Sequence, residues 1–298
     1  MHSVDIRKMI NTKELRVCQF YWNYLFNNEV MHDKFIQEPR QISAYLDDIV
    51  EYLESDISTV ENPNSVVLRM LRTLSEQSLK DDILDNISIT DCRLCYWLWR
   101  KLAENNVPNP DTVTVIADTY QKLHLPDKTF STKERHAVIV RYLDCWDKNA
   151  LEKQEAILAL LDEWNRVKEI ESFSWFNIND EQQSEWLYDR ISASPAGQSL
   201  NPTNTVTTAS SLERAIIAIG YFDLWREHYG YKELFINKVK NAWTQQKHRD
   251  KIKTDGKRNC NVILKNRTKK RLDEMATERG MSRNNFLEWL INKEFGNK

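Results

Sequence analysis

Glycine is scarce in this sequence of 298 residues: there are six, and the first is Gly197. Loops that cradle phosphates need closely spaced glycines, so that backbone N–H groups can approach the ligand. The later ones (Gly220, Gly230, Gly256, Gly280, Gly296) lie far apart. A Rossmann nucleotide site and a P-loop are both excluded. Cysteine is sparse too, at Cys18, Cys92, Cys95, Cys145 and Cys260. An odd, scattered set argues against a disulfide framework and for reduced, packed thiols. No run approaches the roughly 18 apolar residues of a membrane span. The opening Met1-His2-Ser3-Val4-Asp5-Ile6-Arg7-Lys8 has no apolar core of a secretion signal. A cytoplasmic protein is expected, without membrane contact.

Catalytic motifs are also missing. There is no His-Glu-x-x-His, no Gly-x-Ser-x-Gly and no Glu-x-Lys. Adjacent carboxylates such as Asp47-Asp48 and Asp81-Asp82 diverge on a helix and read as solvated. Cys92 and Cys95 have metal-like spacing, but a zinc site takes about four ligands and no second pair exists. The flanking Tyr96-Trp97-Leu98-Trp99 makes a buried helix the better reading. No metal, no cofactor and no catalysis are expected.

What is present is helix. Residues 1–191 carry apolar side chains at three- and four-residue spacing, as in Leu15, Cys18, Trp22 and Leu25. Breaks fall at Pro39, at Glu61-Asn62-Pro63-Asn64, and at Val107-Pro108-Asn109-Pro110, after which Asp111 caps a helix. Ser131 with Glu134, and Asp180, open further helices, and residues 151–170 form a strong one. Residues 192–211 are small and polar and read as a loop. Residues 212–244 extend the helical domain, and residues 245–258 read as a basic linker or a helix running into one. No internal repeat stands out. The ten tryptophans sit at helical spacing and read as core.

Charge is unevenly placed. Residues 237–298 hold 17 Lys and Arg against 7 Asp and Glu, a balance of +10; the rest of the chain holds 25 against 37, or −12. An acidic body with a basic end suggests that the end meets a polyanion.

The last forty residues order themselves as a strand from Asn259 to Leu264, a helix from Asn266 to Arg279, a Gly280 turn, and a second helix capped by Ser282. One strand alone leaves its backbone groups unpaired, and the second helix is apolar around most of its circumference. Two copies solve both problems; the rival solution is that the segment folds back onto its own helical domain. The segment resembles the ribbon-helix-helix proteins of the MetJ, Arc and CopG group. The match runs Leu272-x-x-Met275-Ala276-x-x-x-Gly280-Met281-Ser282-Arg283-x-x-x-Leu287.

The resemblance implies a homodimer whose paired strands enter the major groove of double-stranded DNA. Asn259, Asn261 and Ile263 would read bases, with asparagine suited to an adenine edge. Arg258, Lys265, Arg267, Lys270, Ser282, Arg283 and Asn284 would hold phosphates. Val262, Leu264, Leu272, Met275, Phe286, Leu287, Leu290 and Ile291 would form the dimer core. Ile263 departs from the polar residue usual there, and Lys269 from the apolar one. The resemblance further implies a prokaryotic or phage protein working at the nucleoid.

The expectation is therefore a mainly α protein: a large helical domain followed by a ribbon-helix-helix module at residues 259–298 that dimerises and binds specific DNA sequences, as a repressor or a segregation factor. The helical domain would hold a protein partner or a higher oligomer. Two readings stay open beside it. In one, the helical domain is an effector enzyme or toxin-like protein that the module targets or autoregulates. In the other, the chain is a helical scaffold that never touches DNA.

Overall fold

The computed structural model describes residues 5–31, 41–55, 62–104, 119–169, 173–198, 210–254 and 262–296. Among these there are fifteen α-helices and no strand. The chain divides into two units, Met1–Asn241 and Ala242–Lys298.

The first unit contains α1 (Ile6–Met9), α2 (Leu15–Asn27), α3 (Ile42–Glu54), α4 (Pro63–Gln77), α5 (Asp81–Leu84), α6 (Cys92–Ala103), α7 (Thr119–Lys122), α8 (Thr132–Cys145), α9 (Ala150–Lys168), α10 (Glu181–Ser192), α11 (Pro195–Gln198), α12 (Ser211–Leu224) and most of α13 (Tyr229–Thr254). Six of their starts follow from cap chemistry. The side chains of Asn62, Asp91, Ser131, Asn149, Asp180 and Ser210 each accept a hydrogen bond from a backbone N–H of the first turn. Asn149 and Glu152 complete a capping box. Pro63 sits in the first turn of α4, where its missing N–H costs nothing.

Two apolar clusters fill this unit. One gathers α1 to α4 around Ile10, Trp22, Leu25, Tyr45, Ile49 and Met70. The larger one gathers α6 to α13 around Trp97, Leu98, Ile139, Tyr142, Trp164, Leu187 and Phe222. The clusters meet where α2 packs on α8. There Arg16 Nε donates to Asp144 at 2.6 Å, and Asn23 donates to Cys145 Sγ at 3.1 Å. Six of the ten tryptophans are spent here as core: Trp22, Trp97, Trp99, Trp146, Trp164 and Trp225 are all buried.

Several segments differ in detail from their expected form. The basic stretch 245–258, read as a linker or a helix running into one, is helical as far as Thr254, where α13 ends. Gln246 donates to Asp250, and Arg249 to Gln246, one turn apart, so side-chain pairs hold a helix that has no apolar stripe to announce it. The helix expected from residue 212 starts at Ser211 and stops at Leu224; the next begins at Tyr229. Within the expected loop 192–211, Pro195–Gln198 forms a helical turn. The Pro39 and Val107–Pro110 breaks and the Asp111 cap lie outside the described residues. Cys92 and Cys95 lie on the first turn of α6, and burial pushes the Cys95 thiol up to about 12. Among the described residues no group of three or more His, Cys, Asp and Glu could hold a metal ion. No helix among them is long and apolar enough to cross a membrane.

Candidate nucleic-acid interface

The second unit holds the last turns of α13 and two further helices, α14 (Asn266–Glu278) and α15 (Arg283–Gly296). The turn between α14 and α15 is chemically specified. Gly280 takes φ +63°, a left-handed conformation that a Cβ disfavours. The Gly280 N–H donates to Thr277 O and the Met281 N–H to Ala276 O, both at 3.0 Å. This is the paired pattern of a Schellman termination. Ser282 then opens α15: its Oγ accepts from the Asn285 N–H at 3.3 Å.

The core of this pair is small. Leu272, Ala276 and Phe286 are buried, and Leu264, Leu287, Trp289 and Leu290 lean against them. Much apolar surface stays uncovered: Val262 is 59% exposed, Ile263 100%, Ile291 65% and Phe295 80%, and Met275 and Met281 are also exposed. Of the residues expected in a dimer core, Leu272 and Phe286 are therefore buried within one chain. Leu264, Leu287 and Leu290 are half-buried, and Val262, Met275 and Ile291 face solvent.

Among the described residues the expected strand from Asn259 to Leu264 is not seen. Asn259 and Asn261, with Arg258, lie outside the described residues. Val262, Ile263 and Leu264 have no regular structure. The physical reason is elementary: a strand is made by ladder hydrogen bonds, and among the described residues this chain offers no partner segment.

Charge has a clear pattern. Lys265, Arg267, Lys269, Lys270 and Arg271 are all exposed at the start of α14. The first turn of α14 holds no acidic residue, and Lys265 at its cap makes no side-chain capping bond. The partial positive charge of a helix N-terminus repels cations, so this placement is unfavourable within the chain. Lys251 and Lys253 are different: they close α13, where the dipole welcomes them. Arg283, expected on phosphate, pairs in the single chain with Asp273, and both side chains are about half exposed. Ser282 and Asn284 are exposed.

One feature escaped the sequence reading. Phe286 and Trp289 stack at 5.6 Å between centroids, and the Arg279 guanidinium lies over both rings at 5.3 and 5.1 Å. Lys293 lies over Trp289 at 5.0 Å. Only the one-turn spacing of Trp289 and Lys293 signalled it; Arg279 comes from the preceding helix.

The protein is thus a mainly helical chain ending in a small, basic, two-helix module with an uncovered apolar face. Residues 232–293 match the family described as replication regulatory protein RepB. The C-terminal segment is accordingly similar to a replication-regulatory module, over about a fifth of the chain. No curated protein and no solved structure matches.

Proposed function

We propose that this protein is a DNA-binding regulator of replication that acts by binding rather than catalysis, as a homodimer joined through residues 259–298. The observation that carries the reading is the similarity of residues 232–293 to replication regulatory proteins, coinciding with the most basic part of the chain. Five cations at the start of α14, set against the helix dipole, suit a polyanion that offsets both their mutual repulsion and the dipole. The uncovered Val262, Ile291 and Phe295 suit a second copy. On dimerisation, residues 259–264 of two chains would pair as an antiparallel ribbon in the major groove. Asn259, Asn261 and Ile263 would then face bases, and Lys265, Arg267 and Lys270 phosphates. The helical unit would place a protein partner at the bound site, in the cytoplasm at the nucleoid.

The test is a fluorescence-anisotropy titration of the full chain with duplex DNA across a salt series. Phosphate contacts from both chains give log affinity a slope on log salt of about −5 or steeper. A flat slope would reject DNA and leave the scaffold reading. Ultracentrifugation of the same samples reports the dimer.

A further inference from the structure

We infer that the first unit is built from three copies of one three-helix repeat, and that its two internal junctions are equivalent ionic joints at which the array opens one repeat at a time. This inference does not rest on the DNA reading.

The second and third copies are the plainest. Ser131, Glu134, Arg135, Tyr142, Asp144, Trp146, Lys153 and Ile157 recur as Ser210, Glu213, Arg214, Tyr221, Asp223, Trp225, Lys232 and Ile236, every pair 79 positions apart. The helices keep the same offset: α8 starts at Thr132 and α12 at Ser211, and α9 starts at Ala150 and α13 at Tyr229. The bonds recur as well. Ser131 and Ser210 cap their helices through the N–H groups of Glu134 and Glu213. Trp146 and Trp225 end theirs on the carbonyls of Tyr142 and Tyr221.

The first helix of each copy carries a shared pattern. It reads Arg16-x-Cys18-x-Phe20-x-Trp22-x-x-Leu25 on α2, Arg93-x-Cys95-x-Trp97-x-Trp99-x-x-Leu102 on α6, and Gln182-x-Ser184-x-Trp186-x-Tyr188-x-x-Ile191 on α10. The small residues Cys18, Cys95 and Ser184 are all buried, as are Leu25, Leu102 and Ile191. The first copy completes itself with α3, ending Tyr52-Leu53-Glu54, and with α4, capped by Asn62 as α9 is by Asn149. The copies are therefore α2-α3-α4, α6-α8-α9 and α10-α12-α13.

The junctions repeat too. The first helix of one copy packs on the second helix of the next, α2 on α8 and α6 on α12. At each, an arginine bonds a buried aspartate: Arg16 to Asp144 at 2.6 Å, and Arg93 to Asp223 through two bonds of 2.6 Å. At each, a buried lysine nine residues on donates to that aspartate's backbone carbonyl: Lys153 at 3.1 Å and Lys232 at 3.4 Å. Burial pushes both aspartates up and both lysines down from their ordinary values, alike at the two sites. A charged pair bridging two elements in a dry interface is strongly destabilising when one partner is removed. It therefore ties neighbouring copies together without tying distant ones.

Both ends differ from the joints. On α10 the clasp arginine is replaced by Gln182, exposed beside exposed Glu181 and Glu185, as suits the terminal copy of an array. At the other end α1 packs on α3, and Arg7 pairs with Asp47 at 3.1 Å.

The test is native-state hydrogen exchange on the full chain. Asp144→Asn should speed exchange in α2, α3 and α4 by about a hundredfold while changing α10 and α12 by less than about threefold. Asp223→Asn should do the same for α10 and α12, sparing α3 and α4. If either variant does not fold, Arg16→Lys and Arg93→Lys keep the charge but lose the fork, and each should loosen its own side by about tenfold. Exchange that rises evenly across the unit in the variants that fold would overturn the inference.

Discussion

Lys153 is the most informative single position in the helical unit. Its side chain is fully buried, and burial lowers its ammonium to about 8 from an ordinary value of 10.5. Asp144, Cys145 and Asp147 pull it back up, and Arg16 pushes it further down. A depression of that size corresponds to about 3 kcal/mol of destabilisation while both folded and unfolded states hold the proton. That penalty is complete below pH 8. Between pH 8 and 10.5 the unfolded chain keeps the proton and the folded chain sheds it, so this group makes stability rise with pH. Lys153→Met removes both the charge and the titration. At pH 7 the variant should gain about 1–3 kcal/mol, less than the full penalty because the bond to the Asp144 carbonyl is lost. Urea denaturation of wild type and variant at pH 7 and pH 10 measures it. Taking the difference between the two proteins cancels the other groups that titrate in this range. A variant destabilised at pH 7, or a gap that does not narrow toward pH 10, would refute the reasoning.

Gly280→Ala should cost about 1 kcal/mol, from the left-handed backbone alone, because nothing stands within 4 Å of an added Cβ; an unchanged melting temperature would contradict this. Replacing Arg267, Lys269 and Lys270 together by Gln should weaken DNA binding and make the salt slope shallower by about one per lost contact, while leaving helicity equal or higher because the dipole is relieved; anisotropy and circular dichroism report the two halves. Asn261→Ala should weaken binding to a selected sequence by about 1–3 kcal/mol while sparing random DNA; equal losses on both would reject base reading by that residue.

Sequence reading succeeded where local chemistry decides. Gly280, Ser282, Ser131 and Asp180 all follow from caps and turns, which act within four residues. At residues 245–254 it left linker and helix both open, because lysine, glutamine and arginine build a helix there without an apolar stripe. It also passed over the recurrence of Tyr142-Leu143-Asp144-Cys145-Trp146 as Tyr221-Phe222-Asp223-Leu224-Trp225. That recurrence is visible in the letters, but its first and second helices are separated by connections of unequal length, so no single period spans the whole repeat. The Arg93–Asp223 bond crosses 130 positions and could not be read from spacing. The apolar face of α15 was legible; on the proposed reading a second copy covers it, and no single chain's contacts could carry that. The cation stack of Arg279 over Phe286 and Trp289 depends on the angle between two helices, which the Gly280 turn sets.

The central claim is that the basic C-terminal module carries the affinity for DNA. The most direct measurement compares the full chain with a chain ending at residue 258, titrated against the same duplex at the same salt. The account predicts that the shortened chain remains helical, becomes monomeric and loses binding by a hundredfold or more, on the order expected when most phosphate contacts are removed. Equal affinity of the two chains would contradict it.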